Sequence, residues 1–300
     1  MYECKHVLVG LDISTTDIST IRYAGLISRL TPAERVTFLH VSRELDVAES
    51  REIRYPQLPE PLSVFIKARL EDTVTEHFHG SPDTEVVWDV EQGTPLTAFL
   101  HRARHRDVDL ILVGKTPHSV LPGQLARKAP CPVLAVPASA PPQITRLLVP
   151  IDFSELAAAA LDMALVVARA YGVTSIVCQH VYDVPHAYHL AGLADDEIGT
   201  LLRQHAQKEY DAFMTRFDLS GVSVKPLLTQ HARVATGLQE SAMAEGVDLI
   251  IMGARGRTVA AAMLLGSVTE KLLQVTSVPL WVVISKGERL GLLDAWLHHA

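Results

Sequence analysis

The sequence predicts an α/β fold of two tandem domains, each a five-stranded parallel sheet covered by helices. Three observations carry this. At 300 residues the chain has room for two domains of ordinary size. It repeats itself: Asp12 in HVLVGLDIST and Asp152 in RLLVPIDFSE lie 140 positions apart, as do Val41 closing FLHV and Val181 closing CQHV. Gly114 closing DVDLILVG and Gly253 closing GVDLIIMG lie 139 apart. Within each copy, apolar runs of strand length alternate with stretches of helix length, the pattern of a parallel sheet wrapped on both faces.

The elements follow in order. The first copy opens with the strand HVLVGLD, the helical stretch ISTIRYAGLISRL and the strand RVTFLHV. After a variable segment and a helix come the strand TEVVWDV, a further helix, and two apolar strands, DVDLILVG and PCPVLAV. The second copy runs in parallel through RLLVPID, ELAAAALDMALVVARAYG, SIVCQHV, VSVKPLL, GVDLIIMG and VPLWVV. Matching Pro132 to Pro279 widens the interval to 147, so the first copy lacks eight residues between its fourth and fifth strands. PASAPPQIT, Pro137 to Thr145, suits an exposed linker. The expected domains are residues 1–138 and 144–286. The tail 287–300 carries Leu290, Leu293 and Leu297 beside Trp296 at helical spacing. It reads as a short amphipathic helix set against a domain or a second chain, or as a frayed terminus.

Composition narrows the function classes. A net charge of −7 argues against a broad basic surface for nucleic acid. Three scattered cysteines, Cys4, Cys131 and Cys178, argue against a disulfide framework and for a reducing, cytoplasmic setting. The N-terminus lacks a signal-peptide pattern. The most apolar long window is broken by Asp162 and Arg169, so no membrane span is expected. His101 and His105, four apart, could share a helix face and a metal. No third ligand follows by spacing, and His77 and His79 are discounted in the same way. No nucleophile elbow or acid/base carboxylate pair stands out, so no catalytic residue is assigned.

The most informative stretch is GARGRTVAAAMLLGS, Gly253 to Ser267, between an apolar strand and the helical VTEKLLQV. Glycine permits close backbone approach, and a helix N-terminus offers unpaired N–H groups and a partial positive charge. Together they make an anion cradle, to which Arg255 and Arg257 add charge and Ser267 adds a hydroxyl that can cap the helix or meet a phosphate. Spacing alone leaves a second reading, a plain strand-to-helix turn. Walker and dinucleotide fingerprints are both absent.

On these residues the chain resembles a tandem universal stress protein. Gly253, Gly256, Gly266 and Ser267 fit that family's G-x2-G-x9-G-[ST] pattern, and VPID, HV and VDLIIMG also match. The resemblance covers nearly the whole chain in two copies. It implies Rossmann-like domains of the adenine nucleotide alpha hydrolase type, and ATP, with or without magnesium, held in the second. By the same resemblance Pro150 and Asp152 face the adenine and ribose, and Val181 meets the base. Gly253, Ala254, Arg255, Gly256 and Arg257 wrap the ribose and phosphates. Gly266, Ser267 and Val268 hold the phosphates. It further implies that the halves pair as an internal pseudo-dimer through their last strands, with a homodimer of whole chains as a further possibility.

The first copy departs from the pattern. After Gly114 it reads KTPHSVLPGQLARKAPCPV, with Pro117 at the second glycine position and no Gly-Ser. Pro122-Gly123 reads as a tight turn, and Asp12 as structural. The leading expectation is a nucleotide-dependent stress-response regulator binding an adenine nucleotide in its second domain. The alternatives are a slow ATPase or nucleotide-dependent transferase, and an interaction protein with a vestigial pocket.

Overall fold

A computed structural model describes residues 4–31, 33–42, 62–184, 195–257 and 265–284. The chain divides into two compact units between Gln143 and Ile144. The first comprises β1 (His6–Leu11), α1 (Thr16–Leu30), β2 (Arg35–Ser42), α2 (Leu62–His77), β3 (Glu85–Gln92), α3 (Pro95–His105), β4 (Leu110–Lys115), α4 (Leu121–Lys128) and β5 (Val133–Pro137). Its strands run in the order β3-β2-β1-β4-β5, all parallel. The second comprises β6 (Leu147–Pro150), α5 (Glu155–Tyr171), β7 (Ser175–Tyr182), α6 (Asp195–Met214), β8 (Ser223–Gln230), α7 (Val234–Ala244), β9 (Leu249–Gly253), α8 (Ser267–Val275) and β10 (Leu280–Val283). Its order is β10-β9-β6-β7-β8, again parallel. The expected tail helix over 287–300 lies outside the described residues, as do residues 258–264 of the glycine stretch.

The apolar runs become the inner strands because helices cover both sheet faces: Leu110–Val113 and Leu249–Met252 are buried throughout. The outer strand β8 tolerates Pro226, which an inner strand would not. Helix α5 forms where the alanine-rich stretch sits between two stops. Ser154 caps its start by accepting the Ala157 N–H at 3.2 Å, and Gly172 ends it in the left-handed region at φ 67°.

The repeat extends to individual hydrogen bonds. Asp109 accepts from the N–H groups of Lys5 and His6, and Asp248 from those of Thr145 and Arg146. Each aspartate, just before the fourth strand of its unit, therefore ties down the start of the first. His40 Nδ1 meets Leu11 O at 3.0 Å, and His180 Nδ1 meets Ile151 O at 2.8 Å. Ile13 and Phe153 both adopt positive φ, at 63° and 64°. A side chain in that region is strained, so both units hold the same sharp bend after the first strand.

Two expectations are corrected. Pro122-Gly123 is no tight turn: both residues lie inside α4. Proline in the first helical turn costs nothing, because its missing N–H would have no intrahelical partner. Burial of Leu125 and Ala126 then outweighs the weak helix propensity of Gly123. At α8 the capping position belongs to Gly266, and Ser267 is the first helical residue, so its hydroxyl does not cap.

Candidate functional site

The second unit contains a cavity of about 350 Å³ at the carboxyl ends of its strands. It lies where the chain leaves β6 for β7 on one side while β9 stands on the other, the switch point at which parallel α/β sheets open a crevice. Its apolar wall comes from Val181 on β7, Val234 and Leu238 on α7, and Met252 on β9. The lining also includes Gly266, Ser267, Val268 and Thr269 at the start of α8. No side chain among the described residues caps that helix, so its first-turn N–H groups and the positive end of its dipole face the cavity. Thr269 instead donates its hydroxyl to Gly253 O at 3.0 Å, fastening α8 to the end of β9.

Asp152 organises the entrance. Its Oδ1 accepts from Ser154 N at 3.1 Å and Ser154 Oγ at 2.6 Å, steadying the start of α5. Its Oδ2 accepts from the Arg257 N–H at 2.8 Å, drawing the glycine stretch over the cavity. Gly256 lies against that oxygen so closely that a Cβ would overlap it. The Arg257 guanidinium turns outward, pairing with Glu209 at 2.9 Å and lying 5.1 Å from the Phe153 ring. Phe153 in turn packs on His180, ring to ring at 4.6 Å.

Ten of the eleven residues singled out in the sequence line this one cavity: Pro150, Asp152, Val181, Gly253, Arg255, Gly256, Arg257, Gly266, Ser267 and Val268. Ala254 does not. It is fully buried, donating its N–H to Val283 O and accepting the Gly266 N–H, both at 2.9 Å. It therefore splices the glycine stretch to the sheet. Gly253 lines the cavity, but a different contact demands its lack of a side chain. A Cβ there would come within 2.8 Å of Leu156 Cβ and 3.0 Å of its carbonyl carbon. Gly114 of the first unit crowds Thr16 Cγ2 in the same way, at 2.7 Å. These two glycines let the first helix of each unit cross its fourth strand.

Sequence reasoning overlooked Gln179, His180, Val234, Leu238 and Thr269, all of which line the cavity. Gln179 left a signal: a lone amide in an apolar strand whose counterpart, Leu39, is a leucine. Its neighbour Cys178 is enclosed, and burial pushes its thiol up to about 12, so it stays protonated.

In the first unit an enclosed phenyl group stands at the corresponding place. Phe99 on α3 stands 139 positions before Leu238 and is 2% exposed. A Cβ on Gly10 would lie 2.6 Å from its ring, so glycine on β1 makes room for the phenyl group. Leu39 and Leu125 join Phe99 in one apolar cluster, with Val41, Leu96 and Leu121 packed against it. On α3, the His101 and His105 rings lie 4.5 Å apart, but no group of three or more metal-ligating side chains gathers among the described residues. No described helix is long and apolar enough to cross a membrane.

Comparison with known proteins agrees with the duplication. The model of the universal stress protein family matches residues 3–137 and again 143–283. A universal stress protein of Methanocaldococcus jannaschii is 28% identical over 160 residues, covering 47% of this chain and 96% of the relative. Among solved structures, a universal stress protein from Archaeoglobus fulgidus superposes with a TM-score of 0.62 at 16% identity, over 94% of this chain and 99% of the other. A putative universal stress protein from Pseudomonas aeruginosa does so with a TM-score of 0.62 at 14% identity, over 98% of each chain. Two full matches to one family model, on two units with the same strand order, show that this chain belongs to the universal stress protein family and carries its domain twice in tandem.

Proposed function

We propose that the second unit binds one adenine nucleotide, ATP foremost, and that the chain acts in the cytoplasm as a nucleotide-dependent regulator of a stress response. The observation that carries this is the two-ended chemistry of the cavity. A purine is a flat apolar body, suited to the wall of Val181, Val234, Leu238 and Met252. A polyphosphate is an anion, suited to the uncapped start of α8 at Gly266–Thr269. Asp152 at the entrance offers a carboxylate to ribose hydroxyls. The residues present thus fit the nucleotide at each of its three parts. Magnesium would be held through the phosphates, since the described residues of the cavity lining supply no cluster of ligating side chains for it. Burial of all three cysteines as free thiols accords with a reducing compartment.

Residues 1–138 and 144–286 are on this reading the two functional domains, and only the second takes nucleotide. In the first, Phe99 fills the space for the base, and Pro122 removes an N–H from the first turn of α4. Calorimetric titration of the whole chain with ATP tests this. The expected stoichiometry is one nucleotide per chain. Two comparable sites, or no heat up to millimolar ATP, would refute it.

A further inference from the structure

We propose that Gln179 sets base specificity in the second unit, its side-chain carbonyl accepting a hydrogen bond from the exocyclic amine of adenine. The inference rests on the nucleotide reading above. Gln179 sits on β7, two residues before Val181 and so on the same sheet face. It lines the cavity and is itself 0% exposed. Its amide nitrogen is engaged: the two protons of Nε2 are shared among Ser241 Oγ at 2.7 Å, Thr229 Oγ1 at 3.1 Å and Gly237 O at 3.4 Å. The Gly237 carbonyl can only accept. It therefore fixes which end of the amide faces α7, because a flipped amide would set oxygen against oxygen.

The orientation leaves Oε1 without a hydrogen-bond partner among the described residues. A buried carbonyl with no donor is costly, and a leucine would avoid the cost. Leu39, at the same place in the first unit, does so and is also 0% exposed. The glutamine thus stands where the first unit has a leucine, it lines the cavity, and its carbonyl is held in one orientation by the bonds of its amide nitrogen. Adenine carries an amine donor at position 6, and purine riboside carries only hydrogen there. Guanine and hypoxanthine carry a carbonyl at that position, which would oppose Oε1. The site reads the donor.

The test compares ATP with purine riboside 5′-triphosphate, which lacks only the 6-amino group, by calorimetry on the full chain. The same pair is measured on Gln179→Leu. The parent is expected to prefer ATP by about tenfold. Gln179→Leu is expected to bind both nucleotides within twofold of each other, with circular dichroism and melting checking that it folds. Equal binding of the two by the parent overturns the proposal while leaving the nucleotide reading intact, and it does so even if the variant fails to fold. A preference that survives in Gln179→Leu also overturns it, since the backbone would then read the amine. Absence of binding for both nucleotides in the parent overturns the nucleotide reading, and this inference with it.

Discussion

Replacing Gly256 with alanine probes the entrance most directly. The new Cβ would fall on Asp152 Oδ2, the oxygen that holds the Arg257 N–H. Asp152 cannot simply rotate away, because its other oxygen holds both the N–H and the hydroxyl of Ser154 at the start of α5. The glycine stretch must move instead. A charge-assisted hydrogen bond is worth about 1.5–3 kcal/mol when enclosed. Arg257 is exposed and Asp152 half-buried, which brings the expected loss nearer to about 1 kcal/mol. That corresponds to a drop in melting temperature of about 2–4 °C. The affinity for ATP should fall further, by at least about tenfold or about 1.4 kcal/mol, because the displaced backbone is itself the cavity wall. The assay is a cycle of parent, Gly256→Ala, Asp152→Ala and the double variant, each followed by melting and titration. With Asp152 shortened the obstruction is gone, so Gly256→Ala should cost less stability in that background, with a coupling of about 1 kcal/mol. Strict additivity, or a Gly256→Ala protein that melts and binds like the parent, would refute the argument.

Two further outcomes follow from the first unit. Phe99→Ala should destabilise that unit by about 3–5 kcal/mol in chemical denaturation, as expected for truncating an enclosed phenyl group. The ATP stoichiometry should stay at one, because α4 still begins without a glycine cradle; a second binding event would contradict this. Burial pushes the Asp17 carboxyl up to about 7, with the nearby Asp12 carboxylate adding to the rise against hydrogen bonds from the Asp12 and Ile13 N–H groups. Its folded-state pKa thus exceeds the unfolded value of about 4, so its contribution is complete below about pH 4 and is lost as pH rises through 7. Melting of the parent should show a component that falls across that window, and Asp17→Asn should flatten it. A variant with an unchanged pH profile would exclude Asp17 as its source.

The parallel α/β architecture of each unit was legible in the sequence as two copies of one pattern, with apolar strand-length runs alternating with helical stretches; the order of the strands in the sheet was not. The glycine stretch, together with the family resemblance that it and the VPID and HV motifs carry, led to ten of the residues around the cavity. What it could not reveal was why each glycine is there. Gly253 and Gly256 look equivalent as letters, yet one makes room for a crossing helix and the other for a carboxylate 104 positions earlier in the chain. Pro122-Gly123 misled for a related reason: local turn preference was outweighed by burial of Leu125 and Ala126, which depends on tertiary packing. Phe99 carries no mark in the sequence that it stands enclosed at a place where its sister unit lines a cavity. Only the three-dimensional correspondence with Leu238 and the missing side chain of Gly10 reveal it.

The paired aspartate ties bear on how such a chain avoids assembling wrongly. Asp109 and Asp248 reach back 103 residues to the starts of β1 and β6, so neither sheet can complete its central strand pair until most of its own unit has been made. Such distant closures are slow. The backbone part of the two latches is alike, each a carboxylate accepting two consecutive N–H groups, and that part does not tell its own first strand from that of its sister; Asp248 adds the Thr145 hydroxyl at 2.6 Å. The order of synthesis can supply further discrimination, since β4 and β5 are made before β6. Refolding the full-length chain from denaturant removes that ordering, and exchanged strands between the two halves are the characteristic error that duplication invites.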